Sequence, residues 1–527
     1  MLDRRTMLKM IGVASSAAAL PALAESTAPA KPKKPNILVI VTDDQGYADL
    51  SAYAHHAKDI KTPHMDRIAK GGVALMNGYV SAPVCSPSRA GWNTGRYQQR
   101  WDPAASWGPG LPVNVPTVAQ YLKKAGYVCG KVGKSDYGKG YHSTTSHENP
   151  MNHGYDEFLG FSSHAHDFFV LDEETEKKAP DPRGKSAAMG RLLKNKGWAS
   201  FKDGYTTNIF TDFAIDFLKR HKDGEKPMYL TLSYSAVHHL IHEVPDKYLK
   251  KHGVKKIPNY DPAKNGRYGA YYNKYNQLGA INDKDMRGYY LANLNCLDDN
   301  IGRLLDAMTK MGLDENTLVI FFADNGGSPL TGACNRPLRG SKYVMFEGGL
   351  RVPMMMRFPG TFKPGTVCKE IVSTLDVLPT CLSVAGIKAP EDAILDGHNM
   401  LDVVAGKAKS PWAEKPMFWK FGGDRAVRMG DWKLVRGKNS NGRTATSQIL
   451  SGPHTKGEWM LFNIKDDQAE QNNIASAHPD VVARLSDLWK GWDMNVCARR
   501  KSGPAKPKKE KVKKKDKKKN KQAPATH

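Results

Sequence analysis

The sequence predicts an α/β protein, with a large and mostly parallel central sheet flanked by helices and a smaller C-terminal subdomain built on an antiparallel sheet. Two unbroken apolar runs, at 37–41 and 318–322, are typical of strands covered on both faces of a parallel sheet. A helical apolar repeat at 285–308 leads into the second run. After residue 397 the pattern changes to short strands separated by turns, which indicates the antiparallel subdomain.

The first residues carry the features of an export signal. Arg4 and Arg5 precede an apolar stretch of small residues that ends in an Ala-x-Ala cleavage site at 22–24. The paired arginines fit twin-arginine export, although two arginines are common in any secretory signal. We therefore predict a signal peptide over 1–24, a linker over 25–34 and a periplasmic or secreted protein. No other run reaches transmembrane length, so no membrane span is expected.

Acidic and amide side chains follow both apolar runs. Asp43 and Asp44 lie just beyond the first run, and Asp324 and Asn325 lie just beyond the second. Because open α/β sheets bind ligands beyond the carboxyl ends of their strands, both polar ends can meet in one crevice. Three carboxylates and one amide oxygen form an all-oxygen ligand set, which suits Ca²⁺ or Mg²⁺ rather than zinc. Taken singly, each would be an ordinary turn or helix-cap residue.

The stretch from Cys85 to Arg89 predicts the start of a helix. Ser86 can cap the helix, and Pro87 suits its first turn. The arginine, one turn inside, adds to the anion attraction of the helix N-terminus. The cysteine is therefore aimed at an anionic substrate, whereas the plain alternative is a small buried hydrophobe before an ordinary helix.

The pattern Cys-x-Pro-Ser-Arg at 85–89, followed by Thr-Gly-Arg at 94–96, resembles the signature of type I sulfatases, which have the alkaline-phosphatase-like α/β fold. The resemblance covers about residues 35–494. It implies that a formylglycine-generating or sulfatase-maturating enzyme oxidises Cys85 to formylglycine, the catalytic group, and that Arg89 orients this group. The metal ligands that it implies are Asp43, Asp44, the residue derived from Cys85, Asp324 and Asn325.

Three further basic residues lie in family-like contexts. Lys134 ends a Gly-Lys segment, His238 follows the predicted strand at 228–234, and Lys342 precedes the stretch 347–353. A sulfate ester hydrolase must hold an anion and stabilise developing charge, which preorganised cations do best. By resemblance, Lys134 and Lys342 bind sulfate oxygens, while His238 contacts the sulfate and can protonate the leaving alcohol.

Some positions leave alternatives open. After the Gly-Lys segment the family usually has Trp-His-Leu-Gly, whereas this chain has Ser-Asp-Tyr-Gly at 135–138. Asp136 thus replaces a histidine that normally contacts the formylglycine, and its carboxylate would accept a proton from the hydrate but repel the sulfate. His239 competes with His238 for the post-strand role. His166 is a candidate sugar or sulfate contact, against the alternative of an ordinary surface loop.

The charge of the chain is strongly basic. Its 78 Lys and Arg residues exceed its 53 Asp and Glu residues, which gives a formal net charge of +25. Part of this excess lies in a Lys-rich tail over 501–527, predicted to be disordered. Such tails often bind nucleic acid, but the export signal favours an extracellular polyanion, and a solvated tail without a partner is equally consistent.

Together these features predict a sulfatase that acts on sulfated carbohydrates and needs formylglycine and Ca²⁺, with Mg²⁺ as the alternative ion. We expect a catalytic domain over 35–404, with substrate-rim insertions at 140–205 and 240–280, and a C-terminal subdomain over 405–500. Two other functions stay open. One is a phosphodiesterase or phosphonate hydrolase on the same scaffold, and the other is a non-catalytic binder of sulfated glycans if Cys85 stays unmodified.

Overall fold

The computed structural model describes residues 34–102, 110–138, 142–180, 187–275, 283–437 and 457–497. The predicted signal peptide, nearly all of the predicted linker and the Lys-rich tail lie outside the described residues. Within the described part, no helix is both long and apolar enough to cross a membrane.

Eighteen strands make up the described sheets. They are β1 (Asn36–Thr42), β2 (Val73–Tyr79), β3 (Val128–Lys134), β4 (Glu157–Phe161), β5 (Ala165–His166), β6 (Phe169–Val170), β7 (Ala187–Ala188), β8 (Leu192–Lys194), β9 (Gly197–Ala199), β10 (Gly204–Tyr205), β11 (Met228–Ser233), β12 (Thr317–Ala323), β13 (Met354–Arg357), β14 (Thr366–Ser373), β15 (Met417–Phe421), β16 (Asp424–Met429), β17 (Trp432–Arg436) and β18 (Met460–Asn463).

The α-helices of the described residues flank these sheets. They are α1 (Asp66–Lys70), α2 (Cys85–Thr94), α3 (Val118–Lys124), α4 (Glu173–Lys177), α5 (Thr206–His221), α6 (Asp246–Lys251), α7 (Pro262–Asn265), α8 (Tyr268–Tyr275), α9 (Asp283–Lys310), α10 (Glu347–Leu350), α11 (Val377–Val384), α12 (Leu401–Val404) and α13 (Pro479–Trp492).

The central sheet has ten strands in the order β14-β2-β13-β12-β1-β11-β3-β4-β8-β9. The block β12-β1-β11-β3-β4 is parallel throughout, and so is the pair β14-β2. The strands β13, β8 and β9 run antiparallel to their neighbours. The predicted large α/β sheet is therefore confirmed, and it is a mixed sheet whose middle is parallel.

Both faces of the central sheet are covered, as its uninterrupted apolar strands predict. Successive residues of β1 pack into two different apolar clusters: Leu38 and Ile40 face the helices α5 and α9, whereas Ile37, Val39 and Val41 face α3 and α11. The predicted helical repeat at 285–308 lies within α9, which packs against α5. A ligand-binding site is therefore expected at the polar residues that follow the carboxyl ends of these apolar strands.

The C-terminal strands form the predicted antiparallel sheet, in the order β15-β16-β17-β18. The helix α13 closes this sheet, with Trp489 and Trp492 buried against Phe418 and its neighbours. The indole N–H of Trp489 donates a hydrogen bond to the Trp419 carbonyl at 3.2 Å. The smaller C-terminal subdomain is therefore confirmed as an antiparallel sheet with one closing helix.

Candidate active site

The strand order brings the predicted site residues to one edge of the central sheet. The strands β12, β1, β11 and β3 are consecutive neighbours, and all four are parallel. Thr42 pairs with Ala323 in the register of β1 and β12, so Asp43 and Asp324 leave the sheet side by side. Lys134 is the last residue of β3. Residues far apart in sequence therefore meet because parallel strands end at the same edge.

Three buried carboxylates form the centre of this site. Asp43, Asp44 and Asp324 each offer an oxygen, and these atoms lie within 4.8 Å of one another. The Asn325 side-chain amide donates to Asp44 Oδ1 at 2.7 Å, and the Asp44 N–H donates to Asp324 Oδ1 at 3.3 Å. The oxygens Asp43 Oδ1 and Asn325 Oδ1 are buried and accept no hydrogen bond from the described residues.

The electrostatics of this cluster favour a bound cation. Burial raises the pKa of Asp324 to about 7, and burial likewise raises the pKa of Asp44, because water no longer stabilises the charged carboxylates. Asp43 Oδ1 and Asn325 Oδ1 lack hydrogen-bond donors beside closely spaced carboxylates, and such oxygen atoms are the ligands that a hard divalent ion prefers. The predicted metal ligands Asp43, Asp44, Asp324 and Asn325 therefore fit such an ion.

Cys85 is the first residue of α2 and is buried. Burial raises the pKa of its thiol well above the ordinary value, and the negative charge of Asp136 raises it further. Arg89, one turn along, places Nε and Nη2 each 2.8 Å from Asp324 Oδ2, and its Nη1 donates to the Lys134 carbonyl at 3.2 Å. The helix start thus ties the cysteine position to the carboxylates.

The two predicted sulfate-binding lysines lie at the same cluster. Lys134 Nζ is 2.7 Å from Asp43 Oδ2, and Lys342 Nζ is 2.6 Å from Asp44 Oδ1. Both side chains are buried. Burial alone would lower their pKa values, but the carboxylates of Asp43 and Asp44 outweigh it and raise both pKa values above the ordinary range. Both lysines are therefore charged and held beside the carboxylates.

Two histidines, His238 and His239, also lie at the site, beside Asp44 and the two lysines. His238 Nε2 is 3.7 Å from Asp44 Oδ2, and the centres of the two imidazole rings are 4.1 Å apart. Burial lowers the pKa of both histidines well below the ordinary value, and neighbouring positive groups lower it further. Both rings are therefore neutral until an anion binds beside them. Sequence reasoning treated His239 only as a rival of His238, whereas the structure places both together.

Asp136 also belongs to this site. Its Oδ1 is 2.6 Å from His164 Nδ1 and its Oδ2 is 3.4 Å from Lys134 Nζ, with the whole side chain buried. Its backbone has a φ of 44°, in the left-handed region that few non-glycine residues adopt. The loop at 135–138 therefore holds this carboxylate beside Lys134, and its negative charge acts on the thiol of Cys85.

His166 lies elsewhere. It contacts the Asp167 carbonyl, at 2.8 Å, and the rings of Phe161 and His142. It is buried, and burial lowers its pKa to about 4. These contacts do not join His166 to the carboxylate cluster, and its role in substrate binding stays a prediction.

Sequence reasoning missed a second buried charge cluster, next to the Lys342 segment. Lys433 Nζ, on the C-terminal sheet, is 2.8 Å from Glu347 Oε1 and 3.0 Å from Glu470 Oε1. Glu470 also accepts from the Glu347 N–H, and its carbonyl accepts from Arg339. The segment that carries Lys342 is thus held at both ends by the C-terminal subdomain. No spacing in the sequence signals this long-range contact.

Comparisons with known proteins identify the family. The family model described as "Sulfatase" matches residues 35–387, and the model described as "N-sulphoglucosamine sulphohydrolase, C-terminal" matches residues 341–490. Arylsulfatase J of Mus musculus is 30% identical over 86% of this chain and 74% of its own length. N-acetylgalactosamine-6-sulfatase of Canis lupus familiaris is 28% identical over 92% of each chain.

A solved structure gives the same result. The crystal structure of Ps i-CgsB in complex with k-i-k-neocarrahexaose superposes with a TM-score of 0.71 at 28% identity, covering 87% of this chain and 93% of that chain. The family models together span both sheets, and the structure carries the family's signature residues to one edge of the central sheet. The chain belongs to the type I sulfatase family of the alkaline-phosphatase-like superfamily and is a sulfatase.

Proposed function

We propose that this sulfatase hydrolyses sulfate esters of carbohydrates, using a formylglycine formed from Cys85 and a bound divalent cation, Ca²⁺ or alternatively Mg²⁺. The observation that carries the proposal is the convergence of three buried carboxylates, three buried cations and a helix-start cysteine at one sheet edge. This arrangement suits an anion that must be held while charge moves onto its oxygens.

Asp43, Asp44, Asp324 and Asn325 would hold the cation, together with the residue derived from Cys85. When bound, the cation supplies Lewis acidity, which lowers the pKa of an attached hydroxyl and binds a sulfate oxygen. Burial disfavours the ionised forms of Asp44 and Asp324, so the positive charge of a bound cation would stabilise these carboxylates.

The basic side chains of the chain would bind and orient the sulfate group. Lys134 and Lys342 are charged and buried, so their ammonium groups can face sulfate oxygens with little competition from water. His238 is neutral before substrate binds. A bound anion would raise the pKa of His238, and the protonated imidazole could then give its proton to the leaving alcohol. Arg89 would keep the residue at position 85 in place.

The state of the thiol supports conversion of Cys85. Thiolate, not thiol, is the nucleophilic form of cysteine, and burial raises the pKa of Cys85 well above its ordinary value. An unmodified cysteine would therefore be a poor nucleophile here. A maturating enzyme that oxidises Cys85 before or during export is the partner that this proposal requires, with a periplasmic or extracellular destination.

A carbohydrate substrate is supported by the relatives and by the rim of the site. One relative is named for N-acetylgalactosamine 6-sulfate, and one solved relative holds a neocarrahexaose. Tyr272 of α8 belongs to the second predicted rim segment. Lys342 and Lys134 are close enough to lower the pKa of its hydroxyl, although burial has the larger effect and raises that pKa. Aromatic side chains at a rim suit the apolar faces of sugar rings.

Mass spectrometry and activity assays test the proposal together. In active protein the peptide that carries Cys85 should show an aldehyde or its hydrate, and Cys85→Ala should abolish hydrolysis of sulfated oligosaccharides. Cys296→Ala is the matched control, because Cys296 is a buried cysteine on α9, outside the site. Full activity with an unmodified thiol would refute the formylglycine step. Faster turnover of phosphodiesters or phosphonates than of any sulfate ester would favour the rival hydrolase.

The alternative function, a non-catalytic binder of sulfated glycans, is tested by comparing binding with hydrolysis. A protein with unmodified Cys85 that binds sulfated glycans but never hydrolyses them, even with the divalent cation present, would favour that rival. Hydrolysis that disappears on verified metal stripping and returns with Ca²⁺ or Mg²⁺ would support the metal.

A further inference from the structure

Asp136 is a fourth buried carboxylate that the proposed metal set does not use. Asp43, Asp44 and Asp324 converge on one point, whereas Asp136 lies beside Lys134, with its Oδ2 3.4 Å from the lysine Nζ. Its Oδ2 is buried and accepts no hydrogen bond from the described residues. Its negative charge also acts on Cys85, whose thiol pKa it raises. Asp136 therefore faces the place where the sulfate group would react.

The carboxylate of Asp136 is charged. Burial alone would raise its pKa, but His164 at 2.6 Å and Lys134 outweigh burial and hold the pKa well below its ordinary value. Lys131, on the same strand as Lys134, donates to Ser233 Oγ. Asp136 thus places a charged carboxylate beside Lys134, one of the two proposed sulfate-binding lysines.

The position of this carboxylate decides what it changes. Lys134 is one of the two lysines that would bind sulfate oxygens, and Asp136 Oδ2 lies 3.4 Å from its Nζ. A negative charge at this distance repels any anion that Lys134 binds, and the repulsion grows with the charge of that anion.

We propose that Asp136 sets the charge of the site to accept a monoanionic ester and to disfavour a dianion. A sulfate ester carries one negative charge. Inorganic sulfate and a phosphate monoester each carry two negative charges at pH 8, so the same carboxylate repels them about twice as strongly. This inference rests on the proposed function, and it adds that Asp136 promotes release of the product and selects against phosphate monoesters.

Asp136→Asn tests the charge with little change of shape, since asparagine tolerates the left-handed backbone that position 136 adopts. Calorimetric titration of inorganic sulfate into the metal-loaded protein at pH 8 should show affinity about tenfold tighter in the variant, because one unit of repulsion a few ångströms away is removed. The ratio of phosphate-monoester to sulfate-ester turnover should rise by a similar factor. Asp298→Asn is the matched control, because Asp298 is a buried carboxylate on α9, outside the site, that accepts from the backbone N–H groups of His64 and Met65. It should leave the affinity for sulfate unchanged.

The unaltered protein offers a test that needs no variant. Among phosphate substrates with the same aryl group, it should hydrolyse the monoanionic methyl diester at least about tenfold faster than the dianionic monoester, after correction for their rates in water. Equal sulfate affinity in Asp136→Asn and the unaltered protein, or a preference for the monoester, would overturn the inference. These outcomes differ from failure of the proposed function, which would appear as absent sulfate-ester hydrolysis in the unaltered protein.

Discussion

Lys433→Met should destabilise the protein more than any substitution of an exposed lysine. Lys433 is fully buried between two carboxylates, 2.8 Å from Glu347 Oε1 and 3.0 Å from Glu470 Oε1. Glu347 keeps three other partners, since Arg351 and Arg428 approach its Oε2 at 3.6 Å and 3.8 Å and the Tyr79 hydroxyl donates to the same oxygen. The loss therefore falls on Glu470, which would become a buried carboxylate that has lost its lysine partner.

The expected cost is about 3–5 kcal/mol, the range found when one partner of a buried ion pair is removed. Burial already raises the pKa of Glu470 to about 7, from an ordinary value of 4.5, although Lys433 opposes the shift. Without the lysine this pKa rises further, and the folded state then holds a proton that the unfolded state releases. Stability is therefore retained below the unfolded pKa and lost as pH rises through the folded pKa, so the cost should be larger at pH 8 than at pH 5.

Denaturant unfolding at both pH values measures this cost. Lys490→Met is the matched control, because Lys490 pairs with Asp487 on the same subdomain with both side chains largely exposed, at 64% and 72%. Such a pair contributes at most about 1 kcal/mol. The reasoning would be refuted if Lys433→Met cost no more than Lys490→Met, or if its cost were smaller at pH 8 than at pH 5.

The remaining predictions concern the site and its rim. Asp324→Asn should weaken Ca²⁺ binding by more than about hundredfold in calorimetry, since it removes a charged ligand, while the circular dichroism spectrum stays unchanged. Lys342→Ala should lower kcat/KM for a small aryl sulfate and a sulfated oligosaccharide alike, because Lys342 would contact the sulfate group that both substrates carry. An effect on only one of the two substrates would contradict that role. Glu243 accepts from the Phe168 N–H and the Tyr271 hydroxyl, and burial raises its pKa to about 7 from 4.5, so its ionisation should destabilise this rim contact by about 3 kcal/mol as pH rises from 5 to 8. Limited proteolysis should show that sensitivity. Glu243→Gln should reduce its pH dependence and leave the part due to Asp167, whose pKa burial also raises.

Much of the site could be predicted because local patterns encode it. The runs at 37–41 and 318–322 predict strands through continuous apolar character, and the carboxyl ends of parallel strands meet at one edge whatever their separation in sequence. Cys85 precedes a proline and an arginine at spacings that are typical of a helix start. These inferences need composition, period and spacing, which a single sequence contains.

Fold class, family and candidate ligands could thus be inferred from the chain alone, whereas the partners of the buried charges became known from the packed molecule. The pairing of Asp136 with His164, and of Lys433 with Glu347 and Glu470, joins segments with no periodic relation. Whether a buried charge is balanced depends on packing between distant segments, because burial strengthens each interaction and removes the water that would otherwise compensate. For that reason the sequence showed that Asp136 replaces the usual histidine, but it did not show that the carboxylate is charged and held in place by His164.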